Sequence, residues 1–134
     1  AIRYADVLLM AAEANNRGNL DETKALAYLN QVRERAFGDS SHNSSATGAA
    51  LTDAILDERR HELLGEGHRF FDLQRWGVMK TVLDAYILSE GRYRIYLAGK
   101  SFTSPKNQYY PIPQQAIDRS FVEGQATLTQ DPNY

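Results

Sequence analysis

Residues 59–76 read RRHELLGEGHRFFDLQRW and gather most of the side chains able to do chemistry. A zinc protease needs His-Glu-x-x-His, because positions i and i+4 put two imidazoles on one helical face. Here His61-Glu62 is followed at the second histidine position by Gly65. His68 lies seven residues from His61, about 10.5 Å of helix rise, too far for two short bonds to one ion. Glu58-Arg-Arg-His61 matches one Glu-x-x-His of a di-iron bundle, but that site needs a second copy and two further glutamates. Glu62 and Glu66, one turn apart, are the remaining catalytic candidates, as a paired acid and base for glycoside hydrolysis. Their setting among Arg59 and Arg69 favours ion-paired structure instead. No nucleophile elbow and no phosphate loop occurs.

These readings leave a polar clamp. Glu58, Glu62 and Glu66 recur at four-residue steps beside Arg59, and Arg69, Asp72 and Arg75 recur at three-residue steps. So many charges can be buried only if each finds a partner, and guanidinium groups suit carboxylates through two parallel bonds. Leu63, Phe70, Phe71 and Leu73 would supply apolar filling, and the stretch would lock a kinked helix pair against an earlier helical hairpin. Loss of such a pairing in Glu62→Ala is expected to cost roughly 3–5 kcal/mol.

The elements that must position this stretch are helical. Over residues 2–17, Ile2, Ala5, Leu9 and Ala12 repeat at helical spacing, with Leu8 and Ala11 beside them, and Gly18 suits the C-terminal end. Asp21 is placed to cap a second helix over 22–37, with Ala25, Tyr28, Leu29, Val32 and Ala36 on its inner stripe. Together these form a helical hairpin over 2–37. Residues 39–50, DSSHNSSATGAA, read as a flexible polar loop. Thr52 is expected to cap a third helix to about Leu64, interrupted by Gly65 and Gly67. A fourth runs from Arg69 to about Trp76, and a fifth over 78–88. From 89 to 134 the chain turns irregular and aromatic, and Pro111-Ile112-Pro113 excludes a helix there. One short turn fits 113–118, and the tail 128–134 reads as extended. The fold class is all-α, one domain or a fragment of one.

The chain has 134 residues, 15 basic and 17 acidic, for a net charge of −2, which gives no nucleic-acid footprint. Cysteine is absent, which removes disulfides and thiolate chemistry. No apolar run reaches the length of a membrane-crossing helix. The sequence starts at Ala1-Ile2-Arg3 inside an amphipathic pattern, the expectation being a piece of a longer protein.

Residues 58–77, ERRHELLGEGHRFFDLQRWG, resemble the signature of the SusD/RagB family of outer-membrane nutrient-binding lipoproteins. The family's Glu-Arg, Glu-Leu, Glu-Gly-x-Arg, aromatic, Asp-Leu and Arg fall on Glu58-Arg59, Glu62-Leu63, Glu66-Gly67, Arg69, Phe71, Asp72-Leu73 and Arg75. Residues 3–18 are similar to the family's alanine-rich helix, with Asp6 in place of the usual glutamate. Residues 25–37, 109–118 and 128–134 match three further segments in order. The resemblance implies tetratricopeptide-like helix pairs and the C-terminal part of a longer, non-catalytic protein with no cofactor and no metal. It also implies capture of an oligosaccharide, or of a peptide as in the RagB branch. The ligand would pass to a TonB-dependent, SusC-like transporter, and the membrane would be met only through a lipid anchor on a more N-terminal part. Trp76, Tyr93, Tyr96 and Tyr109 are candidate ligand contacts, with Tyr86 behind them, since sugar faces stack on aromatic rings. Core or interface packing is the alternative for each. A helical-repeat module gripping a partner protein is the rival function class.

Overall fold

The computed structural model describes residues 2–103 and 106–134. Residues 1, 104 and 105, which the spans assigned above include, lie outside the described residues. The chain divides into two compact units, Ala1–Arg69 and Phe70–Tyr134. It is all-α apart from one small hairpin.

In the first unit α1 (Tyr4–Arg17) packs against both α2 (Glu22–Phe37) and α3 (Gly48–Glu62). The core joins Leu8, Leu9 and Ala12 of α1 to Ala25, Leu29 and Val32 of α2 and to Leu51 and Ile55 of α3. Asp21 caps α2, its carboxylate accepting from the Lys24 N–H at 3.0 Å. Ile2 departs from the expected stripe: α1 starts two residues later, and Ile2 is exposed. Ala36 is exposed as well, past the end of the α2 stripe. At the α1–α2 corner Gly18 is right-handed, and Asn19 takes the left-handed conformation (φ 51°). Gly18 is needed for space, because a Cβ there would meet the Ala14 carbonyl at 2.5 Å.

The start of α3 differs from the sequence reading for a tertiary reason. The N-cap is Thr47 rather than Thr52, and its side chain makes no capping bond. Glu22, at the head of α2, accepts from the Gly48 N–H at 2.9 Å and takes over that role. Thr52 lies inside the helix, where its hydroxyl accepts from Asn16 Nδ2 at 2.7 Å and ties the end of α1 to α3. The preceding polar loop is anchored to α2. Asn30 brackets Ser44 with bonds of 3.0 and 2.8 Å, Arg33 donates to the His42 carbonyl, and the His42 ring stacks on Phe37 at 4.0 Å.

The second unit is built on α4 (Arg69–Trp76) and α5 (Met79–Glu90). Leu73, Met79 and Phe102 form its small core, with Phe70, Trp76, Val82 and Leu83 packed on it. Phe71, expected among the apolar filling, is exposed. Two 3-10 turns (Ile95–Leu97 and Lys106–Gln108), the short α6 (Gln114–Arg119) and an antiparallel hairpin of β1 (Phe121–Val122) and β2 (Gln125–Ala126) complete it.

The irregular end is held by side chains reading backbone. Gln130 donates to the Ile112 carbonyl at 2.8 Å and accepts from its N–H at 3.0 Å, standing in for a sheet partner between Pro111 and Pro113. The Tyr134 hydroxyl reaches the carbonyls of Lys106 and Tyr109, with Lys106 Nζ over its ring at 5.5 Å. Gln130→Ala therefore strips two backbone groups at once, at an expected cost of about 1–3 kcal/mol. Amide exchange at Ile112 should accelerate, and unchanged exchange would show that other contacts fix this segment.

Candidate functional site

Glu58, Arg59 and Glu62 of α3, and Glu66 in the turn after it, pair with residues of the first hairpin and with Arg3 just before it. Glu58 pairs with Arg33 at 2.6 Å. Glu62 accepts from Arg35 at 2.5 Å and from Arg3 at 2.9 Å, while Arg3 also donates to the Glu62 carbonyl at 2.7 Å. Glu66 takes the other side of the same guanidinium, at 2.6 and 3.0 Å. Bonds from Glu66 and then Glu62 hold Arg3 above its already high ordinary pKa. Arg59 points into the unit and pairs with Asp6 at 2.8 Å; both side chains are buried. Glu62 and Glu66, the candidate acid and base, are thus spanned by one arginine.

Glu58, Glu62 and Glu66 draw their partners from α2 and from Arg3, which immediately precedes α1. Arg3, Asp6, Arg33 and Arg35 were not singled out as site residues by sequence. A trace of them was visible: Arg33 and Arg35 sit in a helix with no matching run of nearby acids on their own face, so their carboxylates had to come from elsewhere. Arg3 and Arg35 also rim an open groove of about 410 Å³ floored by Ala5, Leu8 and Val32.

The second half of the stretch lies in the other helix. Arg69 opens α4, and Asp72 and Arg75 pair with each other at 3.0 Å. The Arg75 guanidinium lies 5.5 Å from the centre of the Trp76 ring, and Trp76 is half-buried on the α4–α5 core. His61 is exposed and lies 3.6 Å from Asp57. Among the described residues no three His, Asp or Glu side chains converge as metal ligands would.

The tyrosine candidates separate by exposure. Tyr93, in the turn after α5, is 83% exposed; Tyr96, in the first 3-10 turn, is 64% exposed, and its hydroxyl accepts from Arg94 at 3.2 Å. That contact, with Glu90, raises the Arg94 guanidinium's pKa. Tyr109 is 59% exposed and Tyr86, on α5, 47%. A three-way tie holds the excursion carrying Tyr93 and Tyr96: Asp84 accepts from Lys80 at 2.6 Å and from the Phe102 N–H at 2.7 Å, and Lys80 donates to the Phe102 carbonyl at 2.9 Å.

Lys80, and then the Phe102 amide, hold the Asp84 carboxyl below the usual carboxylate range. A carboxyl with a lowered folded pKa stabilises above its unfolded value, about 3.9 for Asp, and that contribution is lost as pH falls through the folded value. The Phe102 amide resonance should therefore report an acid transition below that pH, and Asp84→Asn should abolish it. A transition that survives the substitution would assign it to another group.

A model described as the SusD family matches residues 1–134. SusD-like protein P25 of Formosa agariphila is 38% identical over 117 residues, covering 86% of this chain and 21% of that relative. SusD-like protein P2 of the same organism is 40% identical over 80 residues, covering 55% of this chain and 16% of that relative. The chain spans about a fifth of the length of the curated relatives it matches.

Proposed function

The chain belongs to the SusD family, and on that premise we propose that it is part of a non-catalytic nutrient-binding protein of the bacterial outer surface. In this reading the whole protein is a lipid-anchored partner of a TonB-dependent, SusC-like transporter and hands it captured oligosaccharide. The observation that carries the reading is the family match along all 134 residues. The pairing of Glu58 with Arg33, and of Glu62 and Glu66 with Arg35 and Arg3, supports it, because it engages the acid pair that the sequence offers for hydrolysis. Glu58, Arg59, Glu62, Glu66, Arg69, Asp72 and Arg75 serve the fold in this account. Ligand contact falls to the exposed rings of Tyr93 and Tyr96 ahead of Tyr109, with Trp76 last because Arg75 lies against its face.

The test is calorimetric titration of the full-length protein with oligosaccharides and with peptides, followed by chromatography of the recovered ligand. Saturable binding of a saccharide returned intact is the expected result. Cleaved saccharide would restore the hydrolase reading of Glu62 and Glu66, and binding of peptides alone would assign the protein to the RagB-like branch.

A further inference from the structure

The second unit carries a groove of about 580 Å³ between the C-terminal half of α5 and residues 91–101. Ile87 and Leu88 form its apolar side, and Arg92 and Lys100 bring cations to it. At Gly91, where α5 ends, a Cβ would meet the Ile87 carbonyl of the same helix at 2.7 Å, and the returning chain passes this point at Ala98.

The charge balance of this region is the informative feature. Residues 80–100 hold four cations and two acids, in a chain whose net charge is −2. Both acids are engaged, Asp84 by Lys80 and the Phe102 N–H, and Glu90 by Arg94 at 3.2 Å. The side chains of Arg92 and Lys100 have no hydrogen-bond or ion-pair partner among the described residues. Two uncompensated cations beside an apolar wall suit a ligand that is both ring-shaped and negatively charged. Guanidinium and ammonium groups bind carboxylate and sulfate oxygens through charge-assisted bonds, while C–H faces of a sugar lie on aliphatic and aromatic carbon. Tyr93, next in the chain to Arg92, is the most exposed tyrosine candidate.

Resting on the nutrient-binding reading above, we infer that this groove takes an acidic saccharide, its carboxylate or sulfate groups held by Arg92 and Lys100. The experiment titrates the full-length protein with a panel of uronate- and sulfate-bearing oligosaccharides, each beside its neutral counterpart (methyl-esterified or desulfated). The charged form should bind at least about tenfold more tightly and weaken with added salt. The double variant R92Q/K100Q should lose about tenfold or more in affinity for it while keeping the parent melting temperature. Equal binding of the charged and neutral forms, or an unaffected double variant, would overturn the inference and leave the nutrient-binding reading standing. Failure of every saccharide to bind would remove both this inference and the saccharide form of the nutrient-binding reading. Phosphatidylglycerol vesicles form the last arm: binding to them that depends on Arg92 and Lys100, without saccharide binding, would reassign the groove to a membrane surface.

Discussion

Arg59→Met lowers the stability of the first unit by about 3–5 kcal/mol and is expected to be among the most damaging single substitutions in the chain. The Arg59 side chain is only 3% exposed and its partner Asp6 only 8%. Removing the guanidinium leaves the Asp6 carboxylate in the packed space between α1 and α3 with its charge uncompensated, and that penalty makes up most of the loss. Glu62→Ala, for which the sequence suggested a similar loss, is expected to cost less, although the Glu62 side chain is itself only 9% exposed. Its partners Arg3 and Arg35 are 40% and 59% exposed, so water already screens those bonds. Thermal unfolding followed by circular dichroism ranks the two directly, and a larger loss in Glu62→Ala than in Arg59→Met would reverse this assignment.

The second large effect belongs to Leu9→Ala. Leu9 is fully buried on the helix that contacts both α2 and α3, so the three deleted carbons leave a void facing two neighbours. Large-to-small changes at such sites cost about 2–5 kcal/mol, at the upper end where the walls cannot collapse. The α1 backbone is held at Asn16 by Thr52 and at Asp6 by Arg59, which restricts collapse here. Denaturant unfolding should show a lower midpoint with an unchanged slope. A loss under 1 kcal/mol would mean that the helices close over the gap.

The helical periods, the Asp21 cap and the Gly65–Gly67 break are local features, and a single sequence displays them. What escaped was set by distant chain. Thr52 looked like a cap because it precedes an apolar-periodic run, yet Glu22, 26 residues earlier, bonds the Gly48 N–H and moves the start of α3 forward. The polar loop before it carried every mark of a free segment, and the groups that tie it down, Asn30 and Arg33, lie on a helix already finished. The charged stretch was legible as a set of paired residues, while the identity of the pairs was not. Spacing within one helix cannot show that Glu62 and Glu66 meet at Arg3, some 60 residues away. Nothing in the spacing of Arg92 and Lys100 shows that they lack partners among the described residues, which is a three-dimensional property.

The claim beneath these results is that the acids and arginines around α3 hold it to the first hairpin. A double-mutant cycle of Asp6→Leu and Arg59→Met measures this directly, with free energies from chemical unfolding. Each single variant should lose several kcal/mol, and the double variant, with apolar groups on both sides, should recover most of that loss, giving a coupling of about 2–3 kcal/mol. Losses that simply add in the double variant would contradict the account.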